Sequence, residues 1–305
     1  MDLNNPYFKQ VELLVQMLPV VAQYDCFALK GGTAINLFVR DMPRLSVDID
    51  LTYIPVNKRD DALAEIDGSF RSLKDDLTKR LPGLCVTGSE LSGTKTIYKL
   101  LTQLGNTQVK IEISPVMRGV VDEPVQLETS VQTQDVFGYA SVLVVSFNDL
   151  YAGKLCAALN RQHPRDLFDV SMLLRNEGIS EELLPVFLVY LVCGNRPIVE
   201  LLAPIEQSID QTSFHEFQGM TTESVSMDEL QRSRSLMVKQ INEMLTDKHK
   251  QFLLTFKRGK PDWNLLNMSG IEQFPAIQWK LHNINKMPKQ KHKVALEKLE
   301  KVLYG

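Results

Sequence analysis

Between Leu29 and Thr52 the chain reads LKGGTAINLFVRDMPRLSVDIDLT, and no other stretch restricts the fold so tightly. A short apolar run, Phe27-Ala28-Leu29, enters a Lys30-Gly31-Gly32-Thr33 turn. A helix-like segment follows (Ala34, Ile35, Leu37, Phe38), then a break at Pro43, then Ser46-Val47-Asp48-Ile49-Asp50-Leu51. Successive side chains on a strand point to opposite faces, so Asp48 and Asp50 share one face while Val47, Ile49 and Leu51 take the other. Their Cα atoms would lie about 6.6 Å apart, two strand rises. Two carboxylates so placed can converge on one hard cation such as Mg²⁺, which keeps waters and substrate phosphates as its other ligands. Gly31 and Gly32 let the backbone approach a phosphate, and Thr33 is expected to cap the following helix, whose free N–H groups make an anion site. A Gly-Gly-Thr turn alone is more often just a tight turn, and a D-x-D alone is more often a solvated strand face. Joined by one short helix, they suit a triphosphate and its metal.

The flanking pattern predicts a helix over 5–25, with Pro19 kinking or ending it, and a buried strand over 26–30. The helix after the glycine turn covers 33–40, the carboxylate strand 46–53, and a further helix 58–80 closes at Pro82-Gly83. Strands are expected over 84–90, 96–104 and 107–114. In the last of these Val109, Ile111 and Ile113 form one face while Lys110 and Glu112 form the other. Glu112 reads either as a solvated strand residue or as a third carboxylate, a metal ligand or general base.

Residues 142–147 read as a buried strand or loop, and Ser146 or Asn148 is placed to cap a helix over 150–159. Lys154 lies on or beside its apolar face, as a rim lysine reaching water or as a cation aimed at a phosphate. In Arg161-Gln162-His163-Pro164-Arg165-Asp166-Leu167-Phe168-Asp169, Pro164 suits a helix start. His163 reads as a cap or surface residue. Asp169 reads either as the partner of Arg165 one turn back on a well-capped helix or, sharing a face with Leu173, as an inward carboxylate that needs Lys154 or an arginine. Helices are expected over 181–193, 197–210 and 227–246, with a loop over 211–226. Trp263 and Trp279, beside lysines, read as core anchors or as stacking platforms for bases. The expected architecture is α/β (α+β): a mixed sheet with helices in residues 1–147, then an α-helical domain in 148–305.

Charge is uneven. From Lys248 to Gly305, twelve Lys and Arg stand against four Asp and Glu, a balance of +8 in a chain whose net charge is −3. A basic carboxyl-terminal part on an acidic body is either a nucleic-acid footprint or a solvated lysine-rich helix. The four cysteines are scattered and form no C-x-x-C pair, which reads as buried free thiols in a reducing compartment. The amino-terminal residues lack the pattern of a signal peptide, and the most apolar run, Leu183–Val192, is too short to span a bilayer. A cytoplasmic location with no membrane partner is expected.

The segments Lys30-Gly31-Gly32-Thr33-Ala34-x-Asn36-Leu37 and Arg44-x-Ser46-x-Asp48-Ile49-Asp50-Leu51 resemble the polymerase-β-type nucleotidyltransferases. More narrowly they resemble the AbiEii/AbiGii toxin group, whose relatives include mycobacterial nucleotidyltransferase toxins. Lys110-Ile111-Glu112-Ile113, Lys154, Arg165-Asp166-Leu167-Phe168-Asp169 and the closing PAIQWKLHNI follow in that group's order. The resemblance implies a nucleotidyltransferase domain with an added helical domain that contributes a lysine and an aspartate to the cleft. It implies transfer of a nucleotide from an NTP, with Mg²⁺ or Mn²⁺, onto an acceptor that in better-understood relatives is the tRNA 3′ end, blocking translation. It also implies a toxin of a phage-defence toxin–antitoxin pair, with an antitoxin partner. Carried over, Gly31, Gly32 and Thr33 would hold the triphosphate with Lys30 and Ser46. Asp48 and Asp50 would bind metal, with Glu112 as a third ligand. Lys154 and Asp169 would be the second catalytic pair, supported by Arg165 and Asp166. The GGT turn departs from the Gly-Ser of many nucleotidyltransferases, so the phosphate contact falls to Thr33 or to main-chain groups. Transfer to a protein or a small molecule, or plain nucleotide or RNA binding, remain alternatives.

Overall fold

The helical repeat near the amino terminus becomes α1 (Pro6–Val21), started by the Asn5 side chain accepting the Tyr7 N–H. Pro19 neither ends nor interrupts it before its last turn. The computed structural model describes residues 5–305; residues 1–4, the start of the stretch read above for a leader, lie outside the described residues. After α1 come β1 (Phe27–Lys30), α2 (Gly31–Ala34), which continues as a π-helical turn over Ile35–Val39, and β2 (Asp48–Tyr53). Then follow α3 (Arg59–Arg80), β3 (Cys85–Glu90), β4 (Ile97–Leu104), β5 (Thr107–Ile113), β6 (Val125–Glu128), α4 (Val131–Phe137) and β7 (Ser141–Val144).

These strands form one seven-stranded mixed sheet in the order β3-β4-β5-β2-β1-β7-β6. The β1–β7 and β2–β5 pairs are parallel and the others antiparallel. β2 therefore lies near the middle, and its odd residues Ile49, Leu51 and Tyr53 are fully buried. Burying each such side chain contributes about 1.5–3 kcal/mol, so the register that turns Asp48 and Asp50 to the other face is strongly fixed.

Two compact units divide the chain. The first runs to Ser146 and takes in His215–Ser224; the second comprises Phe147–Phe214 and Val225–Gly305. The second unit is helical: α5 (Phe147–Arg161), α6 (Pro164–Asn176), α7 (Leu183–Cys193), α8 (Ile198–Leu202), then α10 (Met227–Met244), α11 (Asp247–Lys257), α12 (Pro275–Asn285) and α13 (Lys289–Tyr304). The helix α9 (Gln211–Gln218) crosses from the second unit into the first. Its core is organised on α7, an almost wholly apolar helix that packs against α5. Among the described residues no helix is long and apolar enough to cross a membrane.

Several expectations need correction. The helix expected over 197–210 stops at Leu202, because Pro204 lacks an N–H and pushes Ala203 out of helical geometry, to φ −129° and ψ 68°. The loop expected over 211–226 contains α9. Its start is held by Asp210, whose carboxylate accepts the Ser213 N–H and whose carbonyl accepts the Phe214 N–H, and its apolar side carries the buried Phe217. Asn148 is not a cap, since α5 already begins at Phe147. The segment 115–141, for which no element was expected, contributes β6 and α4. The two tryptophans part company: Trp263 packs against Phe252 and Phe256, with centroids 5.4 and 6.2 Å away, whereas Trp279 is 57% exposed and stacks on His282.

Candidate functional site

Gly31 opens α2 with φ +74°, a conformation that L side chains rarely adopt. A Cβ there would also lie 2.6 Å from Asp50 Oδ2, so the glycine lets the turn close down on the carboxylate. Gly32 is needed for space: a Cβ would stand 2.7 Å from Arg44 Nη2 and 2.8 Å from Ser46 Oγ. Gly31→Ala is expected to cost about 1–3 kcal/mol from backbone strain alone. Thermal unfolding reads this directly, and an unchanged midpoint would show that the turn has other ways to relax.

Thr33 does not cap the helix. The helix begins two residues earlier, and the Thr33 hydroxyl donates to the Asp48 carbonyl at 2.5 Å and lies 3.1 Å from Ser46 Oγ. It thereby locks the turn to the first residue of β2. Asn36 donates to the Gly32 carbonyl at 2.9 Å from within the π-helical turn.

Arg44, which the motif includes without a site role, lies against the glycine turn. It is buried, its Nη1 donates to the Leu45 carbonyl, and its Nη2 lies beneath Gly32. The segment carrying it is held by residues far along the chain: Arg44 bridges Thr221, Leu45 N–H donates to the Met220 carbonyl, and Thr222 N–H donates to the Pro43 carbonyl. The signal available in the sequence was its place two residues before Ser46; the pairing that positions it is non-local.

Across the sheet the strand register lines up a row of charge. Lys30 on β1 pairs with Asp50 on β2, Asp50 with Glu112 on β5, and Glu112 with Lys99 on β4. In the next row Asp48 pairs with Lys110. Lys110 Nζ lies 2.8 Å from Glu112 Oε1 and 3.9 Å from Asp48 Oδ2. Burial pushes the Asp50 carboxyl up, with Asp48 and Glu112 adding to the rise and Lys30 and Lys110 opposing it. Burial pushes the Lys30 ammonium down, against the pull of Asp50 and Glu112. For Lys110 burial acts downward too, but Glu112 and Asp48 outweigh it and hold the ammonium above its ordinary range. The face thus sets three carboxylates, Asp48, Asp50 and Glu112, among Lys30, Lys99 and Lys110, with Asp50 the carboxylate that burial raises.

Among the described residues no group of three or more His, Cys, Asp or Glu is arranged to hold a metal ion. The donor set suits a different kind of metal site. Mg²⁺ commonly takes only one or two carboxylates and completes its shell with water and substrate phosphates. Asp48 and Asp50 provide that pair, on one face of one strand and beside a glycine turn. Glu112 stands in the same row but is engaged by Lys110.

In the second unit the structure brings Lys154, Asp166 and Asp169 together. Lys154, only 7% exposed, places Nζ 3.0 Å from Asp166 Oδ1 and 2.8 Å from Asp169 Oδ2. Asp169 is fully buried, so its inward orientation and its lysine partner are as expected from its helical face. Arg161, absent from the expected site, grips Asp166 through Nε and Nη2, each hydrogen bond 3.0 Å. His163 is the cap of α6: its Nδ1 accepts the Arg165 N–H at 3.2 Å. The Arg165 side chain is itself half-buried.

Burial alone would raise Asp166, but Lys154 and Arg161 outweigh it and hold the carboxyl below its ordinary range. A carboxylate with a depressed folded pKa contributes stability that is present above its unfolded value, about 3.9, and lost as pH falls through the folded value. The second unit should therefore weaken below about pH 4, and in Asp166→Asn that acid dependence should flatten. Unfolding midpoints between pH 5 and 3 measure it; identical slopes in the two proteins would contradict it.

Comparison with known proteins adds the following. Residues 12–283 match the family model described as nucleotidyl transferase AbiEii toxin, type IV TA system. No curated protein matches the chain. Among solved structures, MenT4, a nucleotidyltransferase toxin of Mycobacterium tuberculosis H37Rv, is similar with a TM-score of 0.55 and 14% identity, over 96% of this chain and 93% of that one. At that identity the likeness concerns the fold.

Proposed function

The chain belongs to the AbiEii family of nucleotidyl transferase toxins of type IV toxin–antitoxin systems, and from that premise we propose that it transfers a nucleotide from an NTP to the 3′ end of tRNA. The observation that carries this reading is the glycine turn closed directly onto Asp50, with Asp48 on the same strand face. The family implies an NTP substrate and an antitoxin partner. The finer reading adds Mg²⁺ or Mn²⁺, blocked translation in the cytoplasm, and defence against phage.

In this mechanism the backbone of Gly31 and Gly32 approaches the phosphates, and Arg44 and Ser46 brace Gly32 from beneath. Thr33 fixes the turn relative to Asp48. Asp48 and Asp50 would hold the divalent cation, which when bound would supply charge neutralisation at the reacting phosphate and the leaving pyrophosphate. Lys30 balances Asp50 from the neighbouring strand. The acceptor hydroxyl attacks the α-phosphorus in line, the bond to pyrophosphate breaks, and Glu112 is the candidate to take the hydroxyl proton, released from Lys110 for that role. Lys154 and Asp169 enter as residues that transfer needs, the ammonium fixed in place by its two carboxylates.

RNA as the acceptor draws support from the basic carboxyl-terminal part and from Trp279, an exposed indole on α12 able to stack on a base. The test is incubation with total tRNA, Mg²⁺ and each α-labelled NTP in turn, followed by a denaturing gel. A labelled tRNA band names the nucleotide. If the protein binds nucleotide but labels no RNA with any of the four, the tRNA acceptor is wrong and protein or small-molecule acceptors take its place.

A further inference from the structure

Helix α5 passes to α6 through two residues, Gln162 and His163, and the first of them is strained. Gln162 has φ +51°. Its N–H still donates to the Ala158 carbonyl at 2.9 Å, so it closes α5 from the left-handed position that glycine usually takes at a helix end. A glutamine is unfavourable there unless its side chain does something that a glycine cannot.

That side chain is fully used. Gln162 is buried, its Nε2 donates to the Ile205 carbonyl at 2.8 Å, and its Oε1 accepts from the Gln207 N–H at 3.0 Å and from Arg234 Nη1 at 2.9 Å. Arg234 stands on α10 and is only 4% exposed. The same Nη1 donates to the Gln207 carbonyl at 2.6 Å, and Nη2 lies 3.2 Å from Glu206 Oε2. Its Nε is buried with no hydrogen-bond partner among the described residues. The guanidinium therefore leaves one donor unsatisfied in the pose that reaches Gln162, a cost that the contact to the junction has to offset.

The junction sets the angle between two helices that share one ion network. Lys154 belongs to α5, Asp166 and Asp169 belong to α6, and Arg161, the residue before Gln162, grips Asp166. We propose that Arg234, acting through Gln162, is a positioning residue: it fixes the angle between α5 and α6 and with it the place of the Lys154 ammonium. This rests on the reading of Lys154 and Asp169 as residues that transfer needs. A charged group displaced by about 1 Å can lower a rate by on the order of a hundredfold, so a tether remote from the chemistry can govern it.

The experiment has two arms, both on the full chain. The first measures labelled-nucleotide transfer well below the melting midpoints of the wild type, Arg234→Met, Arg234→Lys and Gln162→Gly. Gln162→Gly removes the strain and the tether together. Its midpoint should stay within about 3 °C of the wild type, while kcat falls roughly ten- to a hundredfold and KM for the NTP holds within about twofold. Arg234→Met should lose kcat to the same extent. Arg234→Lys should regain most of it, since one ammonium can donate to both acceptors of Nη1. Lower midpoints with an unchanged kcat in the folded proteins would make the contact structural and overturn the proposal. Should Arg234→Met not fold, Gln162→Gly and Arg234→Lys decide. The second arm needs no transfer: the fall in midpoint caused by Lys154→Met is compared in the wild-type and Gln162→Gly backgrounds. A held network predicts a fall about half as large, or less, once the junction is released, whereas independent sites would give equal falls and overturn the proposal. If the wild type transfers no nucleotide yet the two falls differ, the transfer reading fails and the positioning of the ammonium stands.

Discussion

Asp50→Asn is expected to lower nucleotide transfer by about a thousandfold while leaving the protein folded. The carboxylate does two things that an amide cannot. In the proposed reaction it would offer a charged oxygen to a divalent cation, and it sets a negative charge opposite Lys30 across the β1–β2 ladder. Loss of a preorganised charge at a reacting phosphate typically costs a hundred- to a thousandfold in rate, and loss of a metal ligand adds to this. Stability changes little, because burial already disfavours the charged form of Asp50 and the charged form of Lys30. The amide relieves the first cost. The measurement is labelled-nucleotide transfer beside a thermal melt. Transfer within tenfold of the wild type would remove Asp50 from the chemistry and with it the reading of the glycine turn as a phosphate clamp.

Lys154→Met is expected to destabilise the second unit by about 3–5 kcal/mol, the usual consequence of removing one partner from a buried ion network. Its ammonium sits between Asp166 and Asp169; Arg161 remains on Asp166, whereas Asp169 is left buried within the packing of α6. Adding Asp169→Leu to Lys154→Met should restore much of that loss, because apolar groups of similar size replace buried ion pairs at little cost. The pair of variants separates architecture from chemistry. If the lysine charge serves transfer, the double variant folds and remains inactive. Recovery of activity together with stability would make the network a purely structural device.

Much of this site was readable in the sequence because its parts are local. Lys30 through Asp50 hold the turn, the helix and the carboxylate strand in one uninterrupted run, and the alternation of β2 alone fixes which carboxylates share a face. Asp169 was legible for the same reason: its spacing from Leu173 offered a buried helix face, where a partner such as Lys154 would serve. What was not legible depends on pairing between distant residues. Arg44 is held under Gly32 by residues 220–222, and the Lys30–Asp50–Glu112–Lys99 row exists only because four strands align. Arg161 escaped notice because its exposed stem disguises a head bound to a buried carboxylate. The helix expected over 197–210 failed because the apolar pattern was followed through Pro204, although proline breaks the backbone ladder whatever the side chains prefer.

The strip that holds Pro43, Arg44 and Leu45 comes from Met220–Thr222, within His215–Ser224, although the rest of the first unit lies before Phe147. During synthesis the sheet, the glycine turn and both aspartates leave the ribosome long before that strip exists. Until then the segment under Gly32 lacks its main-chain partners, and the glycine turn is unbraced. For a protein that would injure the cell making it, this order amounts to a delay on arming: translation has passed the whole transferase sheet, and a large part of the helical unit, before the turn can be held in its final shape. A ribosome that stalls or a message that is cut short inside that interval releases a chain that carries the aspartates without the brace behind them.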